Sequence, residues 1–87
     1  MNIKITETRV YGTDESGQEI AEATFKEIDK GLYNINHVRV DDKYQGQGLA
    51  GQIVEATVKE IQDRGGVPIS SCSYGAKWLS DHHVPGL

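Results

Sequence analysis

The hydrophobic period of this 87-residue chain changes once, across "DDKYQGQGLAGQIVEA" at residues 41–56, and that change limits what can be built on either side. Before it, "QEIAEATFKEI" puts Ala21, Ala23 and Phe25 on one face and Glu22, Thr24 and Lys26 on the other, the alternation of a half-buried strand. After it, Leu49, Ala50, Ile53, Val54, Thr57, Val58 and Ile61 recur at helical spacing, with Gln52, Glu55, Lys59 and Gln62 mostly opposite. The spacing predicts an amphipathic helix ending near residue 64. Gly65-Gly66 supplies a glycine stop behind the cation of Arg64, and Glu55 and Lys59 form an i,i+4 pair in the favourable order.

The other elements follow from turn residues. Ile3 to Tyr11 reads as a strand, "DESG" (Asp14 to Gly17) as a turn, and "QEIAEATFKEI" as the antiparallel partner. "DKG" (Asp29 to Gly31) turns the chain again into "LYNINHVRV", a third strand from Leu32 to Val40 rich in β-branched and aromatic residues. Beyond the helix, "VPISSCSY" reads as a buried strand, parallel to strand 32–40 if the helix is a right-handed crossover. "YGAKWLSDHH" closes the chain as a short helix with Trp78 and His82 one turn apart. The predicted order is β-β-β-α-β-α, a mixed sheet of the α+β class with at least one helix on one face.

Length and charge narrow the function classes. Residues 1–87 make one domain, which buries about 60–65% of its unfolded surface. The formal net charge is −4 and no cluster of Lys and Arg opposes it, so neither nucleic acid nor an anionic membrane is an expected partner. Cys72 is the single cysteine, so no intrachain disulfide forms. The start "MNIKITETRV" lacks the apolar run of a signal peptide, and no apolar stretch approaches the roughly 20 residues that span a bilayer. A cytoplasmic location is the expectation. His82-His83 with one distant cysteine does not make a zinc ligand set, so no metal is expected.

The glycine loop carries two phosphate-binding patterns. Gly46, Gly48 and Gly51 spell the G-x-G-x-x-G of a dinucleotide site, while Gln45, Gly48 and Ala50 spell the Q/R-x-x-G-x-G/A of acyl-coenzyme A binding. The first needs a glycine close behind the strand and an acid at the end of the next strand. Here "DDKYQ" separates Val40 from Gly46, and Ser71-Cys72-Ser73 stands where the acid belongs. The second needs free N–H groups at a helix N-terminus and room for a pyrophosphate, which the residues from Gly46 through Gln47 to Ala50 offer. On spacing alone a plain strand-to-helix turn with no ligand fits equally well.

Resemblance separates these readings. "VRVDDKYQGQGLAGQIVEATV" resembles the signature segment of the GNAT superfamily of N-acetyltransferases, with Gln45, Gly48 and Ala50 on the motif positions. Together with "NHVRV" and "SCSYGAKWL", it is similar to the small single-domain GNAT-like proteins, in which His37, Cys72, Tyr74 and Lys77 fall on positions held by His, Cys, Tyr and Lys. The resemblance runs from about Arg9 to Trp78. Asp41 stands where many relatives have proline, and Gln45 where arginine is more frequent; neither change removes a backbone donor.

The resemblance implies a GNAT-like acyl-CoA N-acyltransferase fold, truncated at its C-terminus, that uses acetyl-CoA or coenzyme A to acetylate an unidentified amine, as a monomer or weak homodimer. A non-catalytic acyl-CoA binding module is the alternative. Val38, Arg39 and Val40 would offer backbone groups to pantetheine, and Gln45, Gly46, Gln47, Gly48, Leu49 and Ala50 would hold the pyrophosphate. Cys72 is a small buried apolar residue, a wall of the pantetheine site, or a nucleophile that needs a nearby base. His37 is the candidate base, but the strand ends predict an offset of some 7–10 Å at about 3.3 Å per residue, which favours the wall. Tyr74 is the candidate acid for the leaving thiolate, and Trp78 is read as core packing.

Overall fold

The computed structural model describes residues 1–86. Its elements are β1 (Asn2–Ile5), β2 (Arg9–Thr13), β3 (Glu19–Asp29), β4 (Leu32–Val40), α1 (Leu49–Asp63), β5 (Val67–Ser70) and α2 (Ser73–Asp81), with a 3-10 turn at Asp42–Tyr44 ahead of α1. The strands form one sheet in the order β1-β2-β3-β4-β5. All neighbours are antiparallel except β4 and β5, which the α1 crossover makes parallel.

The class and the connectivity around α1 are those the periods predict, and two boundaries differ. The expected first strand, Ile3 to Tyr11, is a hairpin, so four strands rather than three precede the glycine loop. Its turn contains neither glycine nor proline. The Thr6 hydroxyl accepts the N–H groups of Thr8 (3.3 Å) and Arg9 (3.0 Å), a side chain standing in for a turn bond. The second difference is at "SSCSY": β5 stops at Ser70, Cys72 is the N-cap of α2, and Tyr74 lies inside that helix rather than on a strand. The Ser70 hydroxyl accepts Cys72 N–H at 3.1 Å and lies 2.9 Å from Ile35 O, the acceptor of the last ladder bond, and so competes with the sheet there.

Ile20, Ala21, Ala23, Phe25 and Ile35 of the sheet pack with Leu49, Ile53, Val54, Val58 and Ile61 of α1 in one buried cluster. Each large member contributes about 1.5–3 kcal/mol by leaving water. The helix ends in a glycine stop: Gly66 N–H donates to Ile61 O and Gly65 N–H to Gln62 O, both at 2.9 Å. Arg64 then folds back, donating to Glu7 O (2.9 Å) and Thr6 O (3.0 Å) while its guanidinium lies 4.9 Å from the centre of the Phe25 ring. That contact ties the β1–β2 hairpin to the C-terminus of α1. Among the described residues no helix is long and apolar enough to cross a membrane.

Candidate functional site

The site begins where β4 and β5 part. Their pairing runs from Leu32–Val67 to Ile35–Ser70 and stops, while β4 continues to Val40 against β3 alone. Between Thr24 and Phe25 the β3–β4 register shifts, so Asn36 is an extra residue on β4. A bulge of this kind bends the strand that carries it. At the far end Asp41 N–H donates across to Ile20 O (2.9 Å). By the alternation of a strand, the backbone groups of Val38 and Val40 then face the side that β5 has left.

The second wall is the start of α1. Gly48 is its N-cap with φ 76°, and Gly46 has φ 82°, both in the left-handed region that only glycine enters at low cost. A Cβ on either would meet nothing within 4 Å. No tight packing therefore calls for glycine at these positions. The first bond of the helix is Gln52 N–H to Gly48 O (3.2 Å), and no side chain caps the end, so the N–H groups of Leu49, Ala50 and Gly51 have no intrahelical acceptor.

Between these walls lies a groove of about 360 Å³ lined by Val38, Arg39, Val40, Tyr44, Gln45, Gly46, Gly48, Leu49, Ala50 and Tyr74. The fold thus brings most of the anticipated binding residues to one surface. Gln47 instead faces a neighbouring concavity with Asp14 and Glu15. Tyr74 belongs both to the groove and to a second concavity between α1 and α2 that includes Trp78, Lys77 and His82. Gly51 faces this concavity, and a Cβ there would be in ordinary contact, 3.5 Å, with the Tyr74 hydroxyl. Trp78 stacks on His82 at 3.9 Å, half-buried at the edge of the core as anticipated.

Cys72 and His37 do not line the groove. The anticipated offset rested on aligning two strand ends, but pairing stops at Ile35–Ser70, β4 outruns β5, and Cys72 has left the strand as the N-cap of α2, so the strand ends do not measure it. His37 sits opposite Thr24 and is exposed.

Tyr44 is the groove residue that the motifs did not mark. Its hydroxyl is 3.4 Å from Asp14 Oδ2 on the β2–β3 turn, and desolvation followed by the Asp14 charge pushes the phenol up. Asp14 is held below the usual carboxylate range by the Ser16 hydroxyl (2.7 Å), against partial desolvation, with the N–H groups of Gln18 and Ser16 adding to the effect. The signal for Tyr44 was an aromatic residue isolated in the polar run "DDKYQ". Arg39, the one cation on the groove wall, is engaged by Glu22 (3.4 Å) and Asp41 (3.2 Å). Among the described residues no group of three or more His, Cys, Asp and Glu is arranged to hold a metal.

Comparison with known proteins follows the same outline. Residues 9–84 match the family model described as GCN5-related N-acetyl-transferase. The fold is similar to that of a GCN5-like protein from Staphylococcus aureus, with TM-score 0.76 and 30% identity over 99% of this chain and 89% of that one. It is similar to a GNAT family N-acetyltransferase from Escherichia coli in complex with CoA, with TM-score 0.67 and 27% identity over 86% of this chain and 48% of that one. A GNAT family acetyltransferase from Elizabethkingia anophelis with acetyl-CoA bound shares the fold at TM-score 0.70 and 16% identity, over 86% of this chain and 51% of that one. The chain spans about half the length of these two larger proteins. No curated protein matches it.

Proposed function

Because the chain belongs to the GCN5-related N-acetyltransferase family, we propose that it binds acetyl-CoA in the groove between β4 and α1 and transfers the acetyl group to an amine. The observation that carries this reading is the pairing of an open strand edge with a glycine-framed helix start on the two walls of one groove. The residues present fit such a ligand. The N–H groups of Leu49, Ala50 and Gly51 would receive the pyrophosphate, with the helix dipole favouring its charge. Gly46 and Gly48 leave the space open in which it would lie.

The backbone of Val38 and Val40 would accept and donate bonds along the pantetheine arm in place of the missing rungs of β5. Bound acetyl-CoA supplies an activated thioester. Val38, Val40, Leu49 and Ala50 are the apolar groups that would keep water from it. The Tyr74 hydroxyl, one of two phenols lining the groove, would return a proton to a departing thiolate. Because Cys72 and His37 lie outside the groove lining, a non-catalytic acyl-CoA binding module remains the second reading.

The test is a thermal-shift comparison of acetyl-CoA, CoA and NAD, with amide mapping of any ligand that acts. At about 100 times its dissociation constant a ligand adds roughly 2.7 kcal/mol, which in so small a domain raises the melting temperature by about 10 °C or more. CoA species alone should do this and should perturb Val38 to Val40 and Gly46 to Ala50. A shift with NAD, or with nothing, overturns the proposal. Acetyl transfer to a broad amine panel then separates the enzyme from the module.

A further inference from the structure

The fork between β4 and β5 is held by side chains. At the last paired position, Ile35–Ser70, the next donor along β5 is Ser71 N–H. It lies 3.2 Å from Ile35 O but 2.8 Å from Asn34 Oδ1, so the nearer acceptor is a side chain. The same amide donates from Nδ2 to Ser71 Oγ at 3.0 Å. Its orientation is forced, because a backbone N–H can only donate and must meet the oxygen. Next to it the Ser70 hydroxyl lies 2.9 Å from Ile35 O and accepts Cys72 N–H. The last rung of the ladder is thus shared with side chains at both ends, Ser71 N–H with Asn34 and Ile35 O with the Ser70 hydroxyl, and β5 leaves the sheet for α2.

We propose that Asn34 is a positioning residue for the groove: by gripping Ser71 at both its N–H and its hydroxyl, it fixes the point at which β4 and β5 part and keeps the Val38–Val40 edge open. This rests on the acyl-CoA function proposed above. Asn34 does not line the groove and acts only through Ser71 and its own strand. A leucine has nearly the same shape without the polar atoms. An aspartate keeps the acceptor for Ser71 N–H, and the Ser71 hydroxyl, which can donate as well as accept, restores the second bond.

The experiment compares wild type, Asn34→Leu and Asn34→Asp by amide hydrogen exchange, CoA titration and steady-state kinetics. In Asn34→Leu the Ser71 amide should exchange about tenfold faster and CoA should bind about tenfold more weakly, the equivalent of one net hydrogen bond. KM for acetyl-CoA should rise while kcat stays within about twofold, and Asn34→Asp should recover both. Wild-type affinity in Asn34→Leu, with the Val38 to Val40 resonances unmoved, overturns the proposal. So does an Asn34→Asp variant as weak as the leucine. If Asn34→Leu does not fold, Ser71→Ala replaces it: about threefold weaker CoA binding supports the clamp, and unchanged binding overturns it. Failure of the wild type to bind CoA sinks the functional reading instead. The clamp is then judged on apo resonances, which must move at Val38 and Val40 in Asn34→Leu.

Discussion

Two glycines that flank α1 separate the cost of backbone strain from the cost of a lost ligand contact. Gly48 and Gly65 have φ of 76° and 78°, and a Cβ on either meets nothing within 4 Å. One begins the helix at the groove and the other follows its far end. Alanine at either must hold a left-handed conformation, costing about 1–2 kcal/mol, partly offset by about 0.4–1 kcal/mol from a stiffer unfolded chain. Both variants should therefore lose about 1 kcal/mol, or roughly 4–8 °C of melting temperature. Their ligand affinities should differ. At Gly48 the added methyl group occupies the space proposed for the pyrophosphate and tilts the N–H groups behind it, so CoA should bind at least about tenfold more weakly; Gly65→Ala should bind as the wild type does. Calorimetric titration of the two variants, each with its own melt, reads both terms. Equal CoA affinity in Gly48→Ala and Gly65→Ala would refute the assignment of the loop.

Other consequences follow from single contacts. Arg64→Met removes the guanidinium from over Phe25 together with its bonds to Thr6 O, Glu7 O and Glu60 (2.8 Å), and should cost about 2–3 kcal/mol in urea titrations; a loss under about 0.5 kcal/mol contradicts the tie described above. Asp14 has a depressed folded pKa, so its stabilising effect is complete at neutral pH. That effect fades as pH falls from about 3.9 through the lower folded value, so the stability gap between wild type and Asp14→Asn should narrow in acid, and a constant gap across urea melts at several pH values rules this out. Intact-mass analysis after mixing with acetyl-CoA should show no acetyl group on Cys72, which stands outside the groove; an adduct absent in Cys72→Ala would make it the nucleophile after all.

The parts of the fold that could be read in the sequence were those set by one strong period. The faces of β3 and the buried stripe of α1 came directly from spacing, since burial on one side is all that either pattern encodes. What escaped was decided by single hydroxyls competing with the backbone: Thr6 turning β1 into β2, and Ser70 releasing β5 into α2. Such bonds leave no periodic trace. In the site, the glycine loop was legible because its spacing is local. The relation of His37 to Cys72 was not, because it depends on the register of two strands separated by a whole helix.

One register feature did leave a mark. Ile35 is buried and Val38 and Val40 pack against the same core, yet Ile35 and Val38 are three residues apart, which a regular strand would put on opposite faces. The extra residue Asn36 resolves the conflict and bends β4 at the fork, and its side chain meets the Thr24 hydroxyl across the bulge. Deleting Asn36 leaves Ile35, Val38 and Val40 at regular alternate positions, so the core faces are kept while the cause of the bend is removed. The variant should stay folded, with a melting temperature within about 5 °C of the wild type, since the lost Thr24 contact is worth only about 1 kcal/mol. It should also lose CoA binding, because β4 can then continue alongside the chain beyond Ser70 and the open edge closes. Cross-strand NOEs between residues 37–38 and 71–72 would report that closure. A deletion variant that binds CoA normally would show that the fork is held by Asn34 and Ser70 alone.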